Sequence, residues 1–61
     1  MEKRFVNIDE LSDYLGLSKN TIYSWVWQKR IPYTKFGRLV KFDLKAIDQW
    51  AKENTVEVLE V

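Results

Sequence analysis

The sequence predicts a mainly α fold with one small β-hairpin: three helices and a two-stranded wing in a single domain over residues 1–61. Three observations carry that expectation. Two short amphipathic segments, Ile8–Leu15 and Lys19–Gln28, are separated only by Gly16-Leu17-Ser18, and Pro32 closes the unit. The apolar period then changes from helical to alternating across Tyr33–Phe42. It returns to helical spacing from Leu44 onward.

The first helix has a readable start and stop. Asn7 is a good N-cap, and Glu10 stands three residues on, where its carboxylate reaches back to the cap amide. Ile8, Leu11 and Leu15 recur on one face, with Tyr14 at its margin. Gly16 suits the left-handed conformation that ends a helix, and Leu17 dips into the core.

Ser18 is the next N-cap. On a helical wheel Ile22, Trp25 and Val26 form the buried stripe, while Asn20, Tyr23, Ser24, Trp27 and Gln28 point away from it. Lys19 sits at the exposed first turn. Two helices joined by a brief Gly-containing turn form a helix-turn-helix, whose second helix is shaped to enter a DNA groove.

In the hairpin, Thr34, Phe36, Val40 and Phe42 are expected on one face, with Gly37-Arg38 at the turn and Lys35, Arg38 and Lys41 projecting from tip and edges. Asp43 caps a third helix over about 44–53, with Leu44, Ile47, Trp50 and Ala51 turned to the core. The valine-rich tail 55–61 has three readings: a strand added to the hairpin, pairing with another copy, or partial disorder.

Composition narrows the function. Cys and His are absent, which removes thiolate and imidazole metal ligands and the commonest general base. No nucleophile–base pair, metal cluster or Gly-rich phosphate loop can be drawn, so no enzyme, cofactor or small-molecule ligand is expected. No apolar run approaches the roughly 20 residues of a membrane span, and no signal peptide is visible, so a cytoplasmic, nucleoid-associated protein is expected.

The net charge of +1 is unevenly spread. Between residues 19 and 45, Lys19, Lys29, Arg30, Lys35, Arg38, Lys41 and Lys45 face Asp43 alone, whereas both flanking segments are net acidic. A basic block over the second helix and the hairpin is the charge pattern of a polyanion-binding face. The plain alternative is a solvated basic surface that serves solubility.

Taken in order, Asn7-Ile8-Asp9-Glu10-Leu11, Tyr14-Leu15-Gly16-Leu17-Ser18, Thr21-Ile22-Tyr23, Ile31-Pro32, Lys35-Phe36-Gly37-Arg38, Phe42 and Ile47 to Trp50 resemble the excisionase and AlpA-like branch of the MerR-type winged helix-turn-helix proteins. The resemblance covers roughly residues 6–51. It implies a second helix in the major groove and a wing on the adjacent backbone or minor groove. By position it puts Ser18, Lys19, Asn20, Tyr23 and Ser24 on the recognition helix, and Lys35, Arg38 and Lys41 on the wing. It also implies a small regulator of a mobile element, acting on promoters or as a directionality factor beside an integrase or recombinase.

Departures from that pattern carry their own expectations. Leu11 replaces a small Ala, which widens the helix crossing, and Lys29 stands where a helix-ending Gly is common. Ser24 and Trp27 replace positions that are often Arg, which weakens phosphate anchoring by the helix and shifts grip to the wing.

The residues themselves offer suitable chemistry. Asn20 can pair with adenine and Lys19 with guanine or a phosphate, and the plain alternative for both is ordinary polar surface and capping. Tyr23 reaches a phosphate or a thymine methyl, or packs over Arg30 or the wing. Arg38 at the wing tip matches phosphate and narrow-groove geometry. Lys29, Arg30, Lys35 and Lys41 add attraction to the backbone.

Trp27 has three readings: DNA contact, partner contact, or cover by the tail or hairpin. The sequence therefore predicts a double-stranded DNA-binding protein that works in neighbouring copies on repeated sites. The alternative is a protein-interaction module presenting Trp27 and the tail to a recombinase or other partner.

Overall fold

Asn7 opens the first helix as the sequence requires. In the computed structural model, which describes residues 3–56, its side chain accepts from the Glu10 amide at 2.9 Å while the Glu10 carboxylate accepts from the Asn7 amide at 3.3 Å. That reciprocal pair closes the capping box of α1 (Ile8–Leu15). Gly16, at φ +68°, ends the helix, and the Gly16 and Leu17 amides both donate to the Ser12 carbonyl. Ser18 then caps α2 (Lys19–Trp27) by accepting from the Thr21 amide. The expected helix ran to Gln28; here Gln28 is the C-cap.

The end of α2 is unusual in its residue and regular in its bonding. The Lys29 amide donates to Val26 and the Arg30 amide to Trp25, the two bonds of a Schellman motif. Its left-handed position is filled by Lys29 at φ +55°. A side chain there costs about 1–2 kcal/mol against Gly, offset in part by glycine's greater chain entropy. Lys29→Gly is accordingly expected to raise stability by about 0.5–1 kcal/mol, read as a higher urea midpoint at unchanged slope.

The hairpin consists of β2 (Thr34–Phe36) and β3 (Leu39–Asp43), joined by Gly37-Arg38. Gly37 has φ +62°, as glycine does at the first central position of a type II′ turn. The register pairs Phe36 with Leu39, Lys35 with Val40 and Thr34 with Lys41. Directly paired residues share a face, so the expected grouping of Thr34, Phe36, Val40 and Phe42 is corrected. Val40 and Phe42 lie on the face with Lys35, and Thr34 and Phe36 lie on the opposite face with Leu39 and Lys41. The two-residue turn is the cause, because it sets residues 36 and 39 opposite one another.

A strand absent from the sequence reading completes the sheet. β1 (Phe5–Val6) pairs antiparallel with β3, Phe5 opposite Asp43 and Val6 opposite Phe42, giving the order β1-β3-β2. At two residues it is too short to show alternation. Its place is fixed by the Leu44 amide donating to the Arg4 carbonyl at 2.8 Å and by the two-pronged Arg4–Asp43 pair at 3.0 and 3.2 Å. Asp43 also caps α3 (Leu44–Glu53) through the Lys45 amide.

The core takes one buried side chain from nearly every element, Val6, Leu11, Ile22, Phe42 and Ile47, and Ile31 from the loop after α2. β2 gives none, so the outer strand of the wing is held by its ladder to β3 rather than by burial. Trp25 and Trp50 meet edge-on at 5.8 Å, and the Trp50 indole donates to the Arg30 carbonyl at 2.9 Å. That bond fastens α3 to the loop that leaves α2. No helix among the described residues is long and apolar enough to cross a membrane. The tail readings fall largely on residues 57–61, outside the described residues.

Two carboxylates tie stability to acid. Asp43 is held below its ordinary 3.8, chiefly by the hydrogen bond from Arg4, which with the lesser help of the Lys45 amide outweighs the opposing effect of burial. Glu10 is held below 4.5 by Lys3 and by the Asn7 amide. Both pKa values are lower folded than unfolded, so their contribution is present above the unfolded values and is lost as pH falls through the folded ones. The melting temperature should therefore decline between about pH 5 and pH 2, and Asp43→Asn should flatten that decline in circular-dichroism melts.

Candidate nucleic-acid interface

The outward face of α2 is continuous. Asn20, Tyr23, Ser24 and Trp27 stand three or four residues apart, which stacks them on one side of the helix, and all four are exposed. Trp27 leaves 86% of its surface open and Tyr23 53%. Ser24 accepts from the Gln28 side chain at 3.0 Å, and Gln28 in turn accepts from Arg30 at 3.2 Å. Among the described residues the Ser24 hydroxyl donates to no protein group.

The wing lies across a groove from this face. Tyr23, Val26 and Trp27 form one wall, and Lys35 and Val40 form the other, with Lys29 at one end. The corrected register explains the pairing, because it turns Lys35 to the same side as Val40. Val40 and Tyr33 were not among the expected site residues. The signal for Val40 was present in the two-residue turn.

The expected contact residues divide into three groups. Tyr23, Trp27, Lys29 and Lys35 line the groove, while Asn20 and Ser24 on the outward face of α2 and Arg38 in the hairpin turn are exposed. Lys29, Lys35 and Arg38 have no carboxylate partner among the described residues. Ser18 and Lys19, at the entrance of α2, are already engaged. The Ser18 hydroxyl caps the helix and meets the Thr21 hydroxyl, and Lys19 pairs with Asp9 of α1. That hydrogen bond, with the nearby charge, raises the Lys19 pKa above 10.5.

Arg30 and Lys41 are turned elsewhere. The Arg30 guanidinium lies 5.8 Å from the Trp25 ring centre on the α3 side of α2. Lys41 is half-buried on the outer face of the wing, near enough to Glu10 to favour its ionised form. The larger concavity, between Lys3, Arg4, Tyr14 and Asp48, holds charges and polar groups that already satisfy one another. Tyr14 donates to Asp48 at 2.6 Å, and Arg4 is paired with Asp43.

A helix, a tight Gly turn and a second helix with an open polar face are thus joined to a basic hairpin. A family profile described as a helix-turn-helix domain matches residues 5–55. The chain belongs to this helix-turn-helix family. Its members are small, excisionase-like DNA-binding domains, so the chain is a DNA-binding domain. Searches of the curated proteins and of the solved structures find no match. In this helix-turn-helix domain α2 is the second helix of the motif and β2–β3 the hairpin that follows it. The match begins at Phe5, so it takes in β1 as well as the two helices and the wing.

Proposed function

We propose that this helix-turn-helix domain binds double-stranded DNA in a sequence-directed way as a small factor of a mobile element. On this reading it is of the MerR type and works on cytoplasmic, nucleoid-associated DNA. It acts as a transcriptional regulator or as an excisionase-like directionality factor beside an integrase. The observation that carries the reading is the groove between α2 and the wing. One wall presents Tyr23, Val26 and Trp27 of α2, whose outward face also carries Asn20 and Ser24 for base edges, and the other presents Lys35, on the hairpin that bears Arg38 at its turn, for the backbone.

One recognition helix reads only about three or four bases, so useful specificity calls for neighbouring copies on repeated sites. Asn20 supplies the adenine-type contact. Arg38, Lys35 and Lys29 supply phosphate contacts that set register without reading sequence. Ser18 and Lys19 add the amide-rich entrance of α2, with Lys19 exchanging Asp9 for a phosphate.

The test is titration of labelled random duplex at low and moderate salt, repeated with Asn20→Ala and Arg38→Ala, both at exposed positions. Salt-sensitive binding, weakened by either change, is expected. A parent protein without salt-sensitive binding would overturn the reading. Bending of a bound site, measured by moving it along a fragment, then separates a directionality factor from a simple regulator. The exposure of Trp27 favours one second reading, a surface offered to a recombinase or other protein partner. That reading predicts a Trp27→Ala protein with undiminished affinity for DNA.

A further inference from the structure

The recognition face is more apolar than its setting requires. Trp27 is 86% exposed, Tyr23 stands one turn before it, and Val40 faces them across the groove. An open indole on a small domain is costly in water, and a phosphate cannot compensate it. Lys29 and Lys35 frame the same groove, so the partner that seats there is a polyanion that also carries apolar surface. Along the base edges of the major groove DNA offers hydrogen-bonding nitrogens and oxygens and one kind of apolar group, the C5-methyl of thymine.

We propose that Trp27, with Tyr23, reads a thymine methyl and is a specificity-determining residue of this domain. The inference rests on the DNA-binding reading above and deepens it. Asn20 and Trp27 lie on the same helix face seven residues apart, a rise of about 10 Å, or about three base steps of a duplex. The site is thus an adenine under Asn20 and a thymine about three steps further along the groove. Indole and phenol rings close over the methyl from α2, while Lys29 and Lys35 hold the flanking phosphates.

The experiment begins with selection of bound sequences from random duplex by the full chain. Each thymine in the enriched site is then replaced by deoxyuridine, which removes the methyl and leaves every hydrogen-bonding group in place. One such replacement is expected to weaken the parent about fourfold, the worth of a buried methyl-sized group. Trp27→Ala, an exposed position whose folding is checked by circular dichroism, is expected to bind the thymine site about fourfold more weakly and to ignore the replacement.

An enriched site without thymine, or a parent indifferent to uracil at every thymine, overturns the inference while leaving DNA binding intact. So does a Trp27→Ala protein that still prefers thymine. Absence of salt-sensitive binding by the parent overturns the functional reading, and this one with it.

Discussion

Phe42→Ala is expected to unfold much of the protein near room temperature. Phe42 is 1% exposed, sits on the central strand β3, and is paired with the buried Val6 of β1. Truncating a buried Phe costs about 3–5 kcal/mol through lost transfer energy and the cavity left behind. A chain of 61 residues has only about 3–9 kcal/mol of stability in total. The melting temperature should fall by about 15 °C or more, with far-UV circular dichroism as the measurement.

Phe36→Ala supplies the contrast. Phe36 lies on the opposite face of the hairpin, 50% exposed, with an edge-on contact to Phe5 at 5.2 Å. Its loss should cost under about 1.5 kcal/mol. Comparable effects at the two positions would disprove the register.

Salt should weaken duplex binding steeply, and the wing should carry much of that dependence. Lys29, Lys35 and Arg38 are exposed cations without carboxylate partners among the described residues. The three phosphates neutralised by these side chains alone contribute a logarithmic slope of about −2.7, hence a loss of about 40-fold between about 50 and 200 mM salt. Arg38→Ala should lower the slope by about one unit and reduce that loss to about 12-fold. Fluorescence anisotropy of a labelled duplex across the salt series measures both. A slope unchanged by Arg38→Ala would remove the wing tip from the interface.

The helices were legible because their signals are local. Asn7 with Glu10, Gly16, Ser18 and Asp43 act within one turn of chain, and all four caps occur where the residue types call for them. Lys29 was legible as a misfit in a glycine position, and its φ of +55° bears that out. The outward face of α2 also followed from helical period alone.

What the sequence did not show depends on partners distant in the chain. β1 becomes a strand only because Asp43, 38 residues away from Phe5, lies opposite it. The hairpin faces do not follow from residue type, because the two-residue turn sets the pairing between its strands. With residues 36 and 39 paired, Lys35 and Val40 must share a side. The same long-range arrangement diverts Arg30 onto Trp25 and Lys41 towards Glu10, which no local spacing encodes. The finer assignment of Ser18, Lys19, Asn20, Tyr23, Ser24 and Trp27 to bases or backbone rests on the proposed complex.

β3 lies between β1 and β2, so the wing shares its inner strand with the framework that seats both α1 and α3. The hairpin is therefore half anchored: one strand is pinned at Phe42 and Asp43, and the other carries only the tip. In the proposed complex the separation between α2 and Arg38 gauges the groove, in the manner of a caliper. A gauge of this kind leaves DNA as the softer partner. Sequences that reach the required groove width at low deformation energy gain affinity at base pairs the protein never touches.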